Sequence, residues 1–257
     1  MFSVIKPKWN FLKELMFGVI KSMWYFLKGL MFGEIMKINT AYIVLKTDKP
    51  LTCSSSKLRG FMGNQFKDHY LLHNHFGGEN LLYSYPLIQY QIIEGQATIL
   101  GIEEGADTLK KISSELNYLN LDKRYDIEEK VIYEKSYNVQ PTSDEYHYKF
   151  VTPWLGLNTQ NFQRYLKLGD WKEKKIFLNK ILVGNILSMS KGLGIIVNKR
   201  LHISSHLDET KVEYKGVIMK AFTGEFKVHY RIPDFFGFGK GVSQGFGTVK
   251  MIPNDDD

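Results

Sequence analysis

The chain has 257 residues, 44% of them hydrophobic and 24% charged, which excludes a disordered polymer and fits one large domain or two of ordinary size. Thirty-four basic residues against 27 acidic ones leave a net charge of +7, a surplus that suits a polyanionic partner without naming one. A single cysteine, Cys53, excludes an intrachain disulfide and any Cys-rich zinc module, and fits a reducing, cytoplasmic setting.

Residues 1–35 stand apart. WNFLKELMFG (9–18) recurs almost unchanged as WYFLKGLMFG (24–33), and Lys6, Lys13, Lys21 and Lys28 return about every seven residues, along one side of a helix. No apolar run reaches the roughly 18–20 residues a membrane span needs. Two readings follow: an amphipathic helix lying on a membrane surface, or an added segment irrelevant to the chemistry. The second is favoured, so membrane contact is not expected and the folded domain opens at Met36.

From Met36 the predicted elements come in a recognisable order. KINTAYIVLK (37–46) alternates as a strand. SSSKLRGFMGNQFK (54–67) begins with cap-forming serines and spaces Leu58, Phe61, Met62 and Phe66 as a helix. HYLLHNHFGG (69–78) then places three of the chain's seven histidines within seven positions. Residues 85–93 and 97–102 flank Glu94-Gly95-Gln96 as a hairpin. ADTLKKISSELNYL (106–119) carries a stripe of Leu109, Ile112, Leu116 and Leu119, predicting a helix, and KVIYEKSYNV (130–139) alternates again. That order is β-α-β-β-α-β, the ferredoxin-like signature.

A second pass begins at EYHYKFVTPW (145–154), continues through helical NTQNFQRYLKL and WKEKKIFLNKILVGNILSMS (171–190), and ends in strand-like GIIVNKRLHIS, KVEYKGVIMKAF, EFKVHYRI and GFGTVKMI. The predicted fold is therefore α+β: two ferredoxin-like (RRM-like) domains in tandem, 36–142 and 143–257, behind a 1–35 extension and joined near NVQPTSDE (138–145). Such sheets carry RNA on one face or in the cleft between domains.

GFGKGVSQGFG (237–247) packs five of 22 glycines into eleven positions. Glycine admits positive φ and close backbone approach, and Lys240 among these residues suits a phosphate. The stretch fails the P-loop pattern, because Gly241 follows Lys240, and fails the dinucleotide fingerprint, because Val242 stands where the third glycine belongs. The competing reading is a plain connection between strands.

The spacing Gly237-x-Gly239, five residues, Gly245-x-Gly247, before the last strand of a tandem ferredoxin-like chain, resembles the glycine-rich loop of the CRISPR repeat-processing endoribonucleases, CRISPR-associated protein family six. LRGFMGNQF…HYLLHNH…YPLIQYQII…ATILGIEEGADTL resembles the amino-terminal half of its b-type branch, and the likeness covers about residues 36 to 252. The resemblance implies a metal-independent ribonuclease that cuts CRISPR precursor RNA within its repeats and releases guide RNAs with 2′,3′-cyclic phosphate and 5′-hydroxyl ends. It implies no cofactor, and repeat RNA as the partner; a homodimer and a CRISPR effector complex are compatible with it. Lys57, Arg59, Gly237, Gly239, Lys240, Gly241, Gly245 and Gly247 would hold the RNA.

His73 and His75 are the proposed catalytic pair. A ribose 2′-oxygen must lose a proton as it attacks phosphorus and the departing 5′-oxygen must gain one, and an imidazole with a pKa of ~6.5 suits both tasks. On an extended segment residues i and i+2 share a face about 6.5–7 Å apart, so LLHNH is expected to be extended. Which ring is base and which acid stays open. A metal site recruiting His69 lacks a completing shell, with only Asp68 nearby before Glu79. The lysine that many family members carry shortly after the histidine is replaced by Glu79 or Leu81, leaving Lys57, Arg59 or Tyr83 as substitutes. The remaining histidines, 147, 202, 206 and 229, read as structural or surface residues. The rival function is a non-catalytic guide-RNA-binding subunit of the same fold.

Overall fold

A computed structural model describes residues 37–73 and 85–253. The repeated segment 1–35, His75 and Tyr83 therefore lie outside the described residues.

The first half builds a five-stranded antiparallel sheet, ordered β2-β3-β1-β5-β4, from β1 (Lys37–Thr47), β2 (Ile88–Ile93), β3 (Gln96–Ile102), β4 (Tyr118–Asn120) and β5 (Arg124–Asn138). Helices α1 (Ser55–Gln65) and α3 (Glu104–Ser113) cover one face, with a single helical turn, α2 (Tyr70–His73), beside α1. Strand alternation sorts the side chains. Ala41, Ile43 and Leu45 of β1 go under the helices with Leu58, Met62, Leu109 and Ile112, whereas Tyr42 and Val44 face the other way. The β2–β3 hairpin turns at Glu94 (φ 51°) and Gly95 (φ 76°), both left-handed, which matches the twist of the flanking strands.

The second half forms a four-stranded sheet, β7-β8-β6-β9, from β6 (Pro141–Phe150), β7 (Ile203–Tyr214), β8 (Val217–Tyr230) and β9 (Val249–Met251). Its cover is α4 (Thr159–Leu166) and α5 (Trp171–Gly192). Helix α5 is capped by Asp170, which accepts from Glu173 N–H at 2.8 Å, while Glu173 accepts from Gly169 N–H at 2.9 Å. Its Leu178, Leu182, Ile186 and Met189 form the buried seam.

Both halves have the ferredoxin-like strand order, with one substitution of parts. Where the second crossover helix belongs, between β8 and β9, the chain instead runs through the glycine loop, whose only helical piece is a 3₁₀ turn at Val242–Gln244. Two sequence expectations are corrected. Helix 106–119 ends at Ser113, whose hydroxyl donates back to Lys110 O at 2.8 Å, and the following residues enter β4, so Leu116 and Leu119 are buried without helical spacing. The separate strands expected over 194–204, 211–222 and 225–232 are two long ones, because Lys215 (φ 53°) and Gly216 (φ 76°) turn the chain inside KVEYKGVIMKAF. The joint expected near 138–145 falls within that stretch, at Val139 and Gln140 between β5 and β6.

The halves share their apolar interior. Ile38, Leu100 and Ile102 of the first sheet belong to the same buried cluster as Tyr148, Trp154, Phe236 and Phe238 of the second half. Among the described residues no helix is long and apolar enough to cross a membrane.

Candidate functional site

Two features stand out: an edge of the first sheet where predicted site residues gather, and a basic cleft between the sheets.

At the edge, α1 packs against β2, against α2 and against the 3₁₀ turn of the glycine loop. Strand β2 presents two fully buried glutamines to that loop. Gln89 Oε1 accepts from Gly237 N–H at 3.0 Å, and Gln91 Nε2 donates to Phe235 O at 2.8 Å. Tyr85 adds its hydroxyl to Gly237 O at 3.0 Å. Buried amides so placed are satisfied only when the loop is docked, so the second half's loop is fixed to the first half's edge strand.

Inside the loop, the two Gly-Phe-Gly triplets lie against each other. Phe238 N–H donates to Gly247 O at 3.0 Å, and Gly237 bridges Thr248. A Cβ on Gly247 would sit 2.2 Å from Phe238 O, and one on Gly245 would sit 2.6 Å from Tyr90 O and 2.8 Å from Ser55 Oγ. These glycines are thus required by close backbone packing. The loop is more than a plain connection: many of its N–H groups are bonded within the protein, and it presents Lys240 outward, over the ring of Tyr214 at 5.4 Å. Tyr214 also meets Phe246 edge to face at 5.6 Å.

The structure therefore brings together Lys57 (exposed) and Arg59 (half-buried) on α1, the glycine loop, and the α2 turn that ends at His73. Of LLHNH only Leu71 to His73 lie among the described residues, and these do not take the expected extended form. Leu71 to His73 are helical, and the reason is apolar: Leu72 is fully buried and Leu71 packs beside it, and two adjacent residues reach one core on a helix but not on a strand. The backbone at His73 is therefore helical, and its placement relative to His75 lies outside the described residues.

The cleft, about 540 Å³, was not legible as a site. Its walls come from β1, β5 and the β2–β3 hairpin on one side and β6 and β9 on the other. Tyr42 and Phe235 stack across it at 4.1 Å and 6°, and burial pushes the Tyr42 phenol up to about 12, so that it stays neutral at ordinary pH. Lys250 lies over Phe235 at 5.8 Å. Lys149 and Lys250 are direct partners across β6 and β9, and Lys135 faces them from β5. Like charges opposite one another destabilise a sheet pair. Glu225 flanks Lys149 on β8, and Asp234 and Glu94 also line the walls, so the charge is partly balanced. Exposed Tyr133, two residues before Lys135 on the same face, provides a ring beside the cations. A sequence signal existed in the period-two run Tyr133-x-Lys135-x-Tyr137, but of the lysines that face it Lys149 lies in the other half's first strand and Lys250 more than a hundred positions away.

Of the other histidines, His147 Nε2 pairs with Glu225 at 3.1 Å and His229 Nδ1 lies 3.1 Å from Ser143 O, as surface contacts.

Known proteins place this arrangement. The Cas6b N-terminal domain family matches residues 36–138, and the Cas6b C-terminal domain family matches residues 140–252. A crystal structure of Cas6b is 33% identical, covering 84% of this chain and all of that one, with a TM-score of 0.76. A second, described as CRISPR RNA processing endoribonuclease Cas6b, is 31% identical over the same share of this chain and all of its own, with a TM-score of 0.69. A Cas6 product complex shares the fold at 11% identity, 85% of this chain, all of that chain and a TM-score of 0.55. An uncharacterized protein of Methanocaldococcus jannaschii is 47% identical over 106 residues, 41% of this chain and 71% of its own. Matched along both halves, the chain belongs to the Cas6b family.

Proposed function

We propose that the protein is an endoribonuclease that cuts CRISPR precursor RNA within its repeats. It does so without metal, by attack of a 2′-hydroxyl on the adjacent phosphorus, leaving 2′,3′-cyclic phosphate and 5′-hydroxyl ends. The observation that carries this reading is the gathering, on one sheet edge, of the His73 turn, the basic residues of α1 and the glycine loop, in a chain similar along both halves to a CRISPR RNA processing endoribonuclease. His73 and His75 supply the proton transfers. Lys57, Arg59 and Lys240 hold phosphates, and the cleft takes a flanking single strand through its three lysines and Tyr133.

The deciding experiment is cleavage of an end-labelled repeat RNA in EDTA, followed by analysis of the new ends. Cutting is expected to persist, with 3′ ends that resist phosphatase until the cyclic phosphate is opened. Loss of cutting restored by a divalent cation, or ends bearing 5′-phosphate, would overturn the mechanism. Tight binding with no cutting would favour the guide-RNA-binding subunit instead, since the cleft lysines need no imidazole to grip RNA.

The cleft makes a separate prediction of opposite signs. Lys250→Ala removes one of two facing cations, so it is expected to stabilise the folded protein by roughly 0.2–1 kcal/mol. It is also expected to weaken RNA binding and lower the slope of log Kd against log salt by about one charge. Denaturant unfolding and binding titrations at several salt concentrations read the two effects. An unchanged salt slope would remove the cleft from the RNA path.

A further inference from the structure

A four-residue helix does not hold itself together in water, because nucleation fixes several residues for one hydrogen bond. Turn α2 must be held from outside. Within it, Leu72 N–H donates to His69 O at 3.0 Å, and His69 N–H donates to Phe66 O at 3.1 Å. From outside, the described residues supply anchors at Leu72. The Leu72 side chain is fully buried, and the hydroxyl of Tyr90 on β2 donates to Leu72 O at 3.3 Å.

Tyr90 is itself 1% exposed and pairs with Ile99 on β3, inside the first half's core. Its backbone is the surface that Gly245 packs against, so one residue touches the glycine loop with its carbonyl and α2 with its side chain. Burial pushes its phenol well above the ordinary range, while the positive charge of Arg59 opposes the shift. The hydroxyl therefore stays protonated and remains a donor.

We propose that Tyr90 is a positioning residue for His73: its hydroxyl fixes the carbonyl immediately before the histidine, and its backbone ties that turn to the RNA-holding loop. The proposal rests on the reading that His73 takes part in cleavage. A misplacement of about 1 Å in a reacting group is enough to slow a reaction by up to about a hundredfold, so a single buried hydroxyl at this point has leverage on rate with none on RNA contact.

The test is Tyr90→Phe in the full chain, alone and with His73→Ala. Single-turnover cleavage of a labelled repeat RNA is measured beside the Kd of the same RNA made uncleavable by a 2′-deoxy at the cut position. The expected result is a rate about tenfold lower with Kd within about twofold of wild type. In the His73→Ala background, Tyr90→Phe is expected to cause no further loss, because a residue acting through His73 has nothing left to position. A wild-type rate, an equal loss with and without His73, or a loss explained by Kd would overturn the proposal. If His73→Ala itself cuts at the wild-type rate, the histidine reading fails and the proposal falls with it; that failure shows in the single His73 variant, before Tyr90 is changed. Should Tyr90→Phe not fold, amide exchange in the wild-type protein decides whether the turn is held: protection of the Leu72 amide, which donates to His69 O within the turn, supports a turn anchored from outside, and exchange at the rate of an open loop overturns the proposal.

Discussion

His73→Ala and His75→Ala are each expected to slow single-turnover cleavage of a repeat RNA by about 10²–10⁴-fold while leaving RNA affinity near wild type. That loss corresponds to roughly 3–5 kcal/mol of transition-state stabilisation. The magnitude follows from the reaction. In the proposed metal-independent reaction, the 2′-hydroxyl needs a general base to take its proton near neutral pH, and the 5′-oxygen leaves poorly without gaining one. The two changes should not add when combined, since a general acid and a general base act in one step. A pair made of one neutral and one protonated imidazole also predicts a bell-shaped dependence of rate on pH, with each variant removing one limb. Wild-type rates in both variants would end the assignment. A rate loss matched by a loss of affinity would recast the histidines as RNA contacts.

How far the sequence carried this site depends on the distance over which each signal acts. Local signals held. Alternation in β1 and β5, the hairpin at Glu94-Gly95 and the seam of α5 depend on neighbours within a few residues, and each lies close to where its pattern puts it. The glycine spacing was legible as an anomaly, but its cause was not. Its two triplets are close in sequence, whereas the β2 carbonyl that excludes a Cβ at Gly245 lies more than 150 positions away. The expectation of an extended backbone fails at Leu71 to His73, because period-two geometry considers the histidines alone and the adjacent Leu71 and Leu72 determine the backbone there. The lysines of the cleft were invisible for a further reason: Lys135, Lys149 and Lys250 are ordinary exposed residues until two sheets face each other.

Gly247→Ala is expected to destabilise the protein by roughly 2–5 kcal/mol, and Gly216→Ala by only about 1–2 kcal/mol. Both glycines have left-handed backbone, at φ 68° and φ 76°, so an alanine at either carries a conformational penalty of about 1–2 kcal/mol. They differ in space. Nothing lies within 4 Å of a Cβ on Gly216, at the open tip of the β7–β8 hairpin, whereas a Cβ on Gly247 would lie 2.2 Å from the carbonyl oxygen of Phe238. That oxygen is backbone and cannot rotate away. The two triplets must separate, which strains the bond from Phe238 N–H to Gly247 O and pulls on the loop held by Gln89 and Gln91. Overpacking adds about 1–3 kcal/mol to the conformational penalty. Urea unfolding of the two variants beside wild type measures the difference directly, because the shared φ effect cancels between them. Equal losses would mean that conformational preference alone explains the Gly-x-Gly spacing. A larger loss at Gly247, together with weakened RNA binding, would show that the triplet contact sets the shape in which Lys240 meets a phosphate.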